Sequence, residues 1–320
     1  MNKTSTFAIK NNEGSMDSID AIKINFSQDN LLILNICLAF IMFAIALDMK
    51  KEDFSLLRQN PKPALVGMTA QLIIMPLLTL GLVYLFNPTP SVSLGMVAIS
   101  ACPGGNNSNY STHIAKGNTA LAVTTTAISV IACIFMMPFL IWLGTKVIPN
   151  MNLLNRTVII NPWEMVKIVG LLILTPLLIG MFFNERFPDL TLKIRKPFKV
   201  ASLVLFFGLI LAAIVVNFQN ILHYVGRVFF IVLVLNACAY AAGYWFSKIN
   251  GLSEEDCRAI TFETGIHNIT IALIIIFNFF EGLGGMALVA AWYGIWDLLT
   301  GFSLAAWWGR KPAFKMVKSV

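Results

Sequence analysis

Residues 101–110 read Ala101-Cys102-Pro103-Gly104-Gly105-Asn106-Asn107-Ser108-Asn109-Tyr110, inside an otherwise apolar run, Val92–Ile114. A run of that size can cross a hydrocarbon layer, which takes about 20 helical residues, but it cannot be one unbroken helix. Pro103 lacks a backbone donor and clashes with the preceding turn. Gly104 and Gly105 admit conformations that other residues resist. The small polar residues that follow, Asn106, Asn107, Ser108 and Asn109, favour helix N-termini. The stretch therefore reads as a helix that stops at the proline and a second half-helix that starts at the polar cluster. The free N–H groups and positive dipole end of that half-helix point into the protein. Unpaired backbone at membrane depth persists only where it lines a cavity or is buried in protein, and an anion or a carbonyl oxygen suits such an end.

A second stretch has the same character. Thr261-Phe262-Glu263-Thr264-Gly265-Ile266-His267-Asn268-Ile269-Thr270 interrupts the apolar run Cys257–Phe280. An intramembrane carboxylate costs at least about 2.5 kcal/mol on insertion scales, so Glu263 needs a cation, a proton or a basic partner. Lys and Arg are absent from the centres of the apolar runs. Carbonyls freed at the break plus Glu263 make a hard, oxygen-rich donor set, which suits Na+ better than a transition metal. Packing alone accounts for many Pro–Gly–Gly kinks, and a lone buried glutamate can be structural. Two such breaks at corresponding places are harder to explain that way.

The rest of the chain sets these breaks in a bilayer. Of 320 residues 57% are hydrophobic and 12% charged, and the mean hydropathy is +0.76, against about 25% charged residues in an ordinary soluble domain. Nine runs are long enough to span: Leu31–Leu47, Pro63–Phe86, Val92–Ile114, Thr119–Val147, Met165–Phe183, Phe198–Asn217, Gly226–Phe246, Cys257–Phe280 and Leu283–Trp308. Residues 1–30 form a polar tail without the apolar core of a secretory leader, and 309–320 a basic tail. If the N-terminus lies outside, 16 of the 23 Lys and Arg residues fall on the cytoplasmic side, which orients the chain N-out and C-in across a cell (inner or plasma) membrane. The net charge of +7 is then met by anionic headgroups, and no nucleic-acid partner is called for. The five cysteines sit in or at the edge of apolar runs, with no pair at metal-ligand spacing, and read as packed free thiols.

Spans 2, 3 and 4 resemble spans 7, 8 and 9: an apolar helix, a helix broken at glycine beside polar residues, and a long apolar helix. The two trios cross in opposite senses, which is the inverted repeat of secondary transporters. Span 1 pairs with span 6, and span 5 is left over, as in a five-plus-five parent that lost its first helix. The first repeat covers 31–148 and the second 149–308. The fold class is an all-α membrane protein of nine transmembrane helices with inverted-topology repeats.

The residues then become recognisable. Ala46-Leu47-Asp48, Ala70-Gln71-Leu72-Ile73-Ile74-Met75-Pro76, Cys102-Pro103-Gly104-Gly105 with Ser108-Asn109, Lys116-Gly117-Asn118, and Phe262-Glu263-Thr264-Gly265 with Asn268 together resemble the bile acid:sodium symporter family, in its nine-helix form. The resemblance runs from span 1 to span 9. It implies a core domain, 63–147 plus 226–308, in which the two discontinuous helices cross, and a panel domain, 31–47 plus 165–217. It further implies co-transported Na+, an organic anion (a bile acid or a smaller organic acid) bound between the domains, and alternating access, for which a monomer suffices. Carried over residue by residue, it implies a first sodium site of Ser108, Asn109, Thr126 and Glu263. A second would use Gln71, Glu263, carbonyls near Thr264 and Ile266, and the side chain of His267. Asn106, Asn107, Asn268 and Asp297 would face the substrate.

Three positions depart from the family pattern. Ala122 stands where a serine ligand is common, His267 where a glutamine offers its carbonyl, and Asp297 where relatives are often not acidic. His267 leaves two readings open: a protonated imidazole that replaces a cation beside Glu263, with Asp297 as its second partner, or a neutral ring that donates to a carbonyl or ligates sodium. The rival functions are a proton-coupled or uncoupled carrier and, more remotely, a membrane enzyme built on Glu263 and His267. The enzyme reading lacks a nucleophile–base–orienter set.

Overall fold

Proline and short polar side chains set most helix starts in this chain. The structure, a computed structural model, describes residues 19–21, 28–47, 61–151, 154, 161–216 and 218–310. Its helices are α1 (Gln28–Ala46), α2 (Pro61–Phe86), α3 (Pro90–Ser100), α4 (Asn106–Ile114), α5 (Thr119–Val147), α6 (Pro162–Arg186), α7 (Pro188–Val216), α8 (Phe218–Ile249), α9 (Glu254–Gly265), α10 (Ile269–Phe279) and α11 (Gly284–Gly309). Proline, whose missing donor costs nothing in a first turn, opens α2, α3, α6 and α7. Asn118 Oδ1 caps α5 by accepting from the Leu121 N–H at 3.0 Å. Ser253 Oγ caps α9 through the Asp256 N–H at 3.2 Å, and Glu254, Glu255 and Asp256 place negative charge at the positive end of its dipole. The polar N-terminal tail up to residue 18, the basic residues Lys50, Lys51 and Arg58, Asp48, and the tail from 311 onward lie outside the described residues.

Among the described residues five helical stretches are long and apolar enough to cross a membrane: Pro61–Phe86, Thr119–Val147, Pro162–Arg186, Val228–Ile249 and Gly284–Gly309. The polarity of the molecule is inverted relative to a soluble protein. Leu77, Leu85, Phe135, Trp163, Leu171, Phe182 and Trp245 lie on the outside, while Gln71, Ser108, Thr126, Asn236, Glu263, His267 and Asp297 are buried. That is the arrangement a lipid solvent selects. Two helix starts differ from expectation. α7 begins at Pro188 rather than Phe198, and α8 at Phe218 rather than Gly226. Hydropathy marks the stretch that dissolves in hydrocarbon, whereas helix ends are set by capping and proline. The exposed Lys193, Arg195 and Lys196 extend α7 beyond the apolar stretch.

α1 packs along α6 and α7. Phe43 sits between Phe183 and Phe198, at 6.4 and 5.8 Å between ring centroids, and Phe40 stacks on Phe198 at 5.2 Å. α8 lies along α9 and α11, and α11 crosses both α3 and α4. α1 also meets α10, where Asn35 and Asn278 exchange amide hydrogen bonds of 3.0 and 2.9 Å.

The α3–α11 contact depends on two glycines. A Cβ at Gly95 would lie 2.9 Å from Met286 Cα, and one at Gly285 would lie 2.9 Å from the Val92 nitrogen. Neither obstacle is a flexible side-chain end, so the helices themselves must separate. Gly95→Val is expected to lower thermal stability in detergent by the cost of an overpacked core, about 1–3 kcal/mol. Gly81→Ala, inside a helix where nothing lies within 4 Å, is expected to keep or slightly raise the melting temperature. Equal melting curves for both variants would contradict this packing.

Candidate functional site

The two broken helices complete each other's backbone. α3 runs out through the Ala101 and Cys102 N–H groups, which still donate to Val97 and Ile99, at 3.1 and 2.9 Å. α9 runs out at Ile266, whose N–H donates to Phe262 at 2.9 Å. Between α3 and α4, and between α9 and α10, lie a few extended residues with no helical partners. Gly104 and His267 form an antiparallel bridge, and the Asn268 N–H donates to the Pro103 carbonyl at 2.9 Å. Backbone groups that would be costly to leave unpaired in lipid thus pair across the crossing. α4 starts differently from the capping expected of Asn106, Asn107 and Ser108. Its N-cap is Gly105, extended and without a side-chain cap, because the Gly104 bridge fixes the chain one residue earlier.

Glu263 lies at this crossing with no exposed surface. The hydroxyl of Thr126 is 2.9 Å from both carboxylate oxygens, and the Ser108 hydroxyl touches Oε1. Thr126 Oγ1 is also 3.0 Å from the Ala122 carbonyl and 3.4 Å from Asn109 Oδ1, and Ser108 Oγ is 2.6 Å from the Gly105 carbonyl. The inventory is one-sided. Two hydroxyls carry one proton each, and around them stand two carboxylate oxygens, two backbone carbonyls and an amide oxygen. Among the described residues no lysine or arginine pairs with Glu263; Lys248 and Arg258 both pair with Glu254. Such a set has spare lone pairs and one negative charge, and a hard monovalent cation fits it. Among the described residues no three of His, Cys, Asp and Glu gather as a transition-metal site would require. Ala122 contributes only a carbonyl. Thr124 and Thr125 bond back to Ala120 and Leu121, at 2.9 and 2.5 Å.

Gly104 makes the approach of the carboxylate possible. A Cβ there would overlap Glu263 Oε2 and lie 2.8 Å from Cδ. The sequence offered this glycine as backbone freedom; its use is to leave room for the glutamate.

Gln71 meets the crossing from α2, within a π turn, Ala70–Ile74, of the kind common at functional sites. Its Nε2 is 3.5 Å from the Cys102 carbonyl, and its Oε1 is buried without a partner. Both ring nitrogens of His267 are likewise buried without a partner, and the ring stands edge-on to Tyr293 at 5.5 Å. The Thr264 hydroxyl donates back to the Ile260 carbonyl at 2.8 Å. Of the two readings of His267, the one that pairs its imidazole with Asp297 is not the arrangement found. Asp297 is buried, but its Oδ2 accepts from the backbone N–H of His267 at 3.3 Å. α9 ends two residues before His267, and this N–H no longer has a helical acceptor.

Of the residues expected to face substrate, Asn107 is half-buried and Asn268 buried. Asn268 Nδ2 lies 3.8 Å from Met42 Sδ on α1, at the boundary between α1 and the broken helices. The side chain of Asn106 lies outside the described residues. Sequence reading missed Asn236, Tyr240 and Tyr293, which surround the second break. Asn236, a lone amide in an apolar run, was the available signal.

The family model described as the sodium bile acid symporter family matches residues 35–224. An uncharacterized sodium-dependent transporter of Bacillus subtilis is 27% identical over 286 residues, 89% of this chain and 86% of that protein. A rice protein named as a probable chloroplast sodium/metabolite cotransporter is 29% identical over 80% of this chain and 62% of its own length. The human ileal sodium/bile acid cotransporter is 27% identical over 76% of this chain and 68% of its own.

Substitution at the two adjacent glycines separates room for the carboxylate from loop flexibility. Gly104→Ala must displace Glu263 or the crossing and is expected to cost about 1–3 kcal/mol in detergent melting. Gly105→Ala, whose Cβ would meet its nearest neighbour at 3.6 Å, is expected to be tolerated. Equal effects at both positions would count against this account of Gly104.

Proposed function

Because the chain belongs to the sodium bile acid symporter family, a family of transporters rather than enzymes, we propose that it is a sodium-coupled symporter of an organic anion. In this reading nine spans are arranged as inverted repeats, with α3–α4 and α9–α10 each serving as one broken span. The core domain comprises 63–147 and 226–308, and the panel domain 31–47 and 165–217. Packing of α1 with α6 and α7, and of α8 and α11 around the broken helices, supports the division. The bias of Lys and Arg supports an N-out, C-in orientation in the cell membrane.

The observation that carries the reading is the donor-poor oxygen cluster around Glu263. One sodium is held by Ser108, Asn109, Thr126 and Glu263. A second is held by Gln71, Glu263, the Thr264 and Ile266 carbonyls and a neutral His267; the unpartnered Gln71 Oε1 and His267 nitrogens favour it. One carboxylate shared by two cations serves both and couples the two binding events through it. Asn107 and Asn268, the latter beside α1, contact the anion, a bile acid or a smaller organic acid. Sodium favours whichever arrangement of core and panel it binds more tightly, and alternating access follows. The rival reading, a proton in place of one sodium, has less support. An imidazolium carries two N–H donors, and the Asp297 carboxylate, which the proton reading would set against the ring, is bonded to the His267 backbone N–H instead.

Purified protein in detergent is expected to melt higher in NaCl than in equimolar KCl, by about 2.7 kcal/mol once sodium exceeds its dissociation constant 100-fold. Glu263→Gln should abolish the difference and Thr126→Val should reduce it. In proteoliposomes an inward sodium gradient should accumulate taurocholate or, if the crevice takes smaller anions, a short-chain keto acid. Indifference to sodium in both assays would refute the proposal.

A further inference from the structure

Breaking a helix at Gly265 strands backbone groups, and the way they are rehoused differs from one to the next. In an unbroken helix the Glu263 carbonyl would take the His267 N–H, the Thr264 carbonyl the Asn268 N–H, and the Gly265 carbonyl the Ile269 N–H. All three donors go elsewhere: to Asp297 Oδ2 at 3.3 Å, to the Pro103 carbonyl at 2.9 Å and to the His267 carbonyl at 3.1 Å. The Gly265 carbonyl alone gains side-chain donors in exchange. Asn236 Nδ2 reaches it from α8 at 2.9 Å, and Tyr293 Oη from α11 at 3.0 Å. Both side chains are buried, at 1% and 0% exposure. Asn236 is held in turn by the Thr300 hydroxyl, which donates to its Oδ1 at 2.8 Å. The Tyr240 ring fills the space that the missing Gly265 side chain leaves, since a Cβ there would overlap it.

We propose that Asn236 and Tyr293, with Asp297, are positioning residues of the second break. They fix the Gly265 carbonyl and the His267 N–H, and so hold open a break in which the Asn268 N–H is taken by the Pro103 carbonyl and the Thr264 carbonyl is left without its helical donor, free for a cation. Asp297 acts as an acceptor for a backbone N–H rather than as a charge that touches ion or substrate. The roles rest on the sodium-coupled reading above and go beyond it, because none of the three is a sodium ligand here. The chemistry is economical: a carbonyl that two neutral donors satisfy does not compete for the ion, and a satisfied break has no reason to close into a helix.

The test is a sodium titration of melting temperature in detergent, repeated with lithium and with potassium as the reference, on wild type, Asn236→Leu, Tyr293→Phe, Asp297→Asn and Asp297→Ala. Tyr293→Phe removes one oxygen and keeps the ring, so it is the variant that folds most readily. Asn236→Leu and Tyr293→Phe are expected to raise the half-maximal sodium concentration about three- to tenfold, the scale of one hydrogen bond, and to change the sodium-to-lithium ratio. A purely structural defect would lower melting equally in all three salts. Asp297→Asn keeps an acceptor oxygen and is expected to retain the wild-type sodium midpoint, whereas Asp297→Ala shifts it. Unchanged midpoints in Asn236→Leu and Tyr293→Phe, alongside a wild type that responds to sodium, would overturn this inference alone. An equal shift in Asp297→Asn and Asp297→Ala would overturn the role given to Asp297. A wild type that does not distinguish sodium from potassium would overturn the sodium reading and this inference together.

Discussion

A carboxylate with no fixed positive partner among the described residues sits at the middle of an apolar helix bundle, and much of the molecule follows from keeping it there. The cost of burying an unpaired charge is too large for a protein of ordinary stability to bear unrelieved. Relief by a lysine or arginine would make the site permanent. Relief by hydroxyls, carbonyls and amide oxygens leaves it incomplete, with more lone pairs than protons. The oxygens come from three helices, α4, α5 and α9, so whatever completes the set also draws those helices together.

The same economy appears in the backbone. Each break exposes groups that lipid cannot satisfy, and each finds partners in the other, through Gly104, His267, Pro103 and Asn268. Neither half of that pairing could persist alone, and the two interrupted helices form one structural unit. The surrounding surfaces are packed closely enough that glycine is required at 95, 104, 265 and 285. The described contacts of α1 are made by side chains instead: an aromatic stack on Phe183 and Phe198 and an amide exchange with Asn278.

What could be read from the chain beforehand divides along physical lines. The breaks were legible because proline and glycine act locally: Pro103 and Gly265 forbid or end a helix wherever the fold puts them. Glu263 was legible because a lone carboxylate in an apolar run needs compensation in any fold. Contact of Ser108 and Thr126 with Glu263 had no local signal, since it depends on segments far apart in the chain; resemblance to a family indicated it. Asn236 and Tyr293 stayed hidden because an amide or phenol in a span declares a hydrogen bond but not its partner. The partner of Asp297 stayed open for a related reason: the sequence displays the side chain of His267, whereas the bond is made by its N–H, freed by the end of α9. Helix starts at 188 and 218 escaped because helix outside the apolar stretch, charged after Pro188 and polar at Gln219, Asn220 and His223, carries no hydropathy signal.

The π turn at Ala70–Ile74 amounts to one residue more than an α-helix of that length can hold. Each α-helical residue turns the chain by about 100°, so the two ends of α2 are out of phase by that amount relative to a regular helix. Removal of one residue between 70 and 74 would keep α2 apolar and long enough to span, yet rotate everything before the deletion against everything after it. Gln71 would then leave the crossing, or Gly67 would leave its contact with Thr125. The helix thus carries a constraint on length that composition and hydrophobicity do not express: its residue count is fixed by angle rather than by membrane thickness.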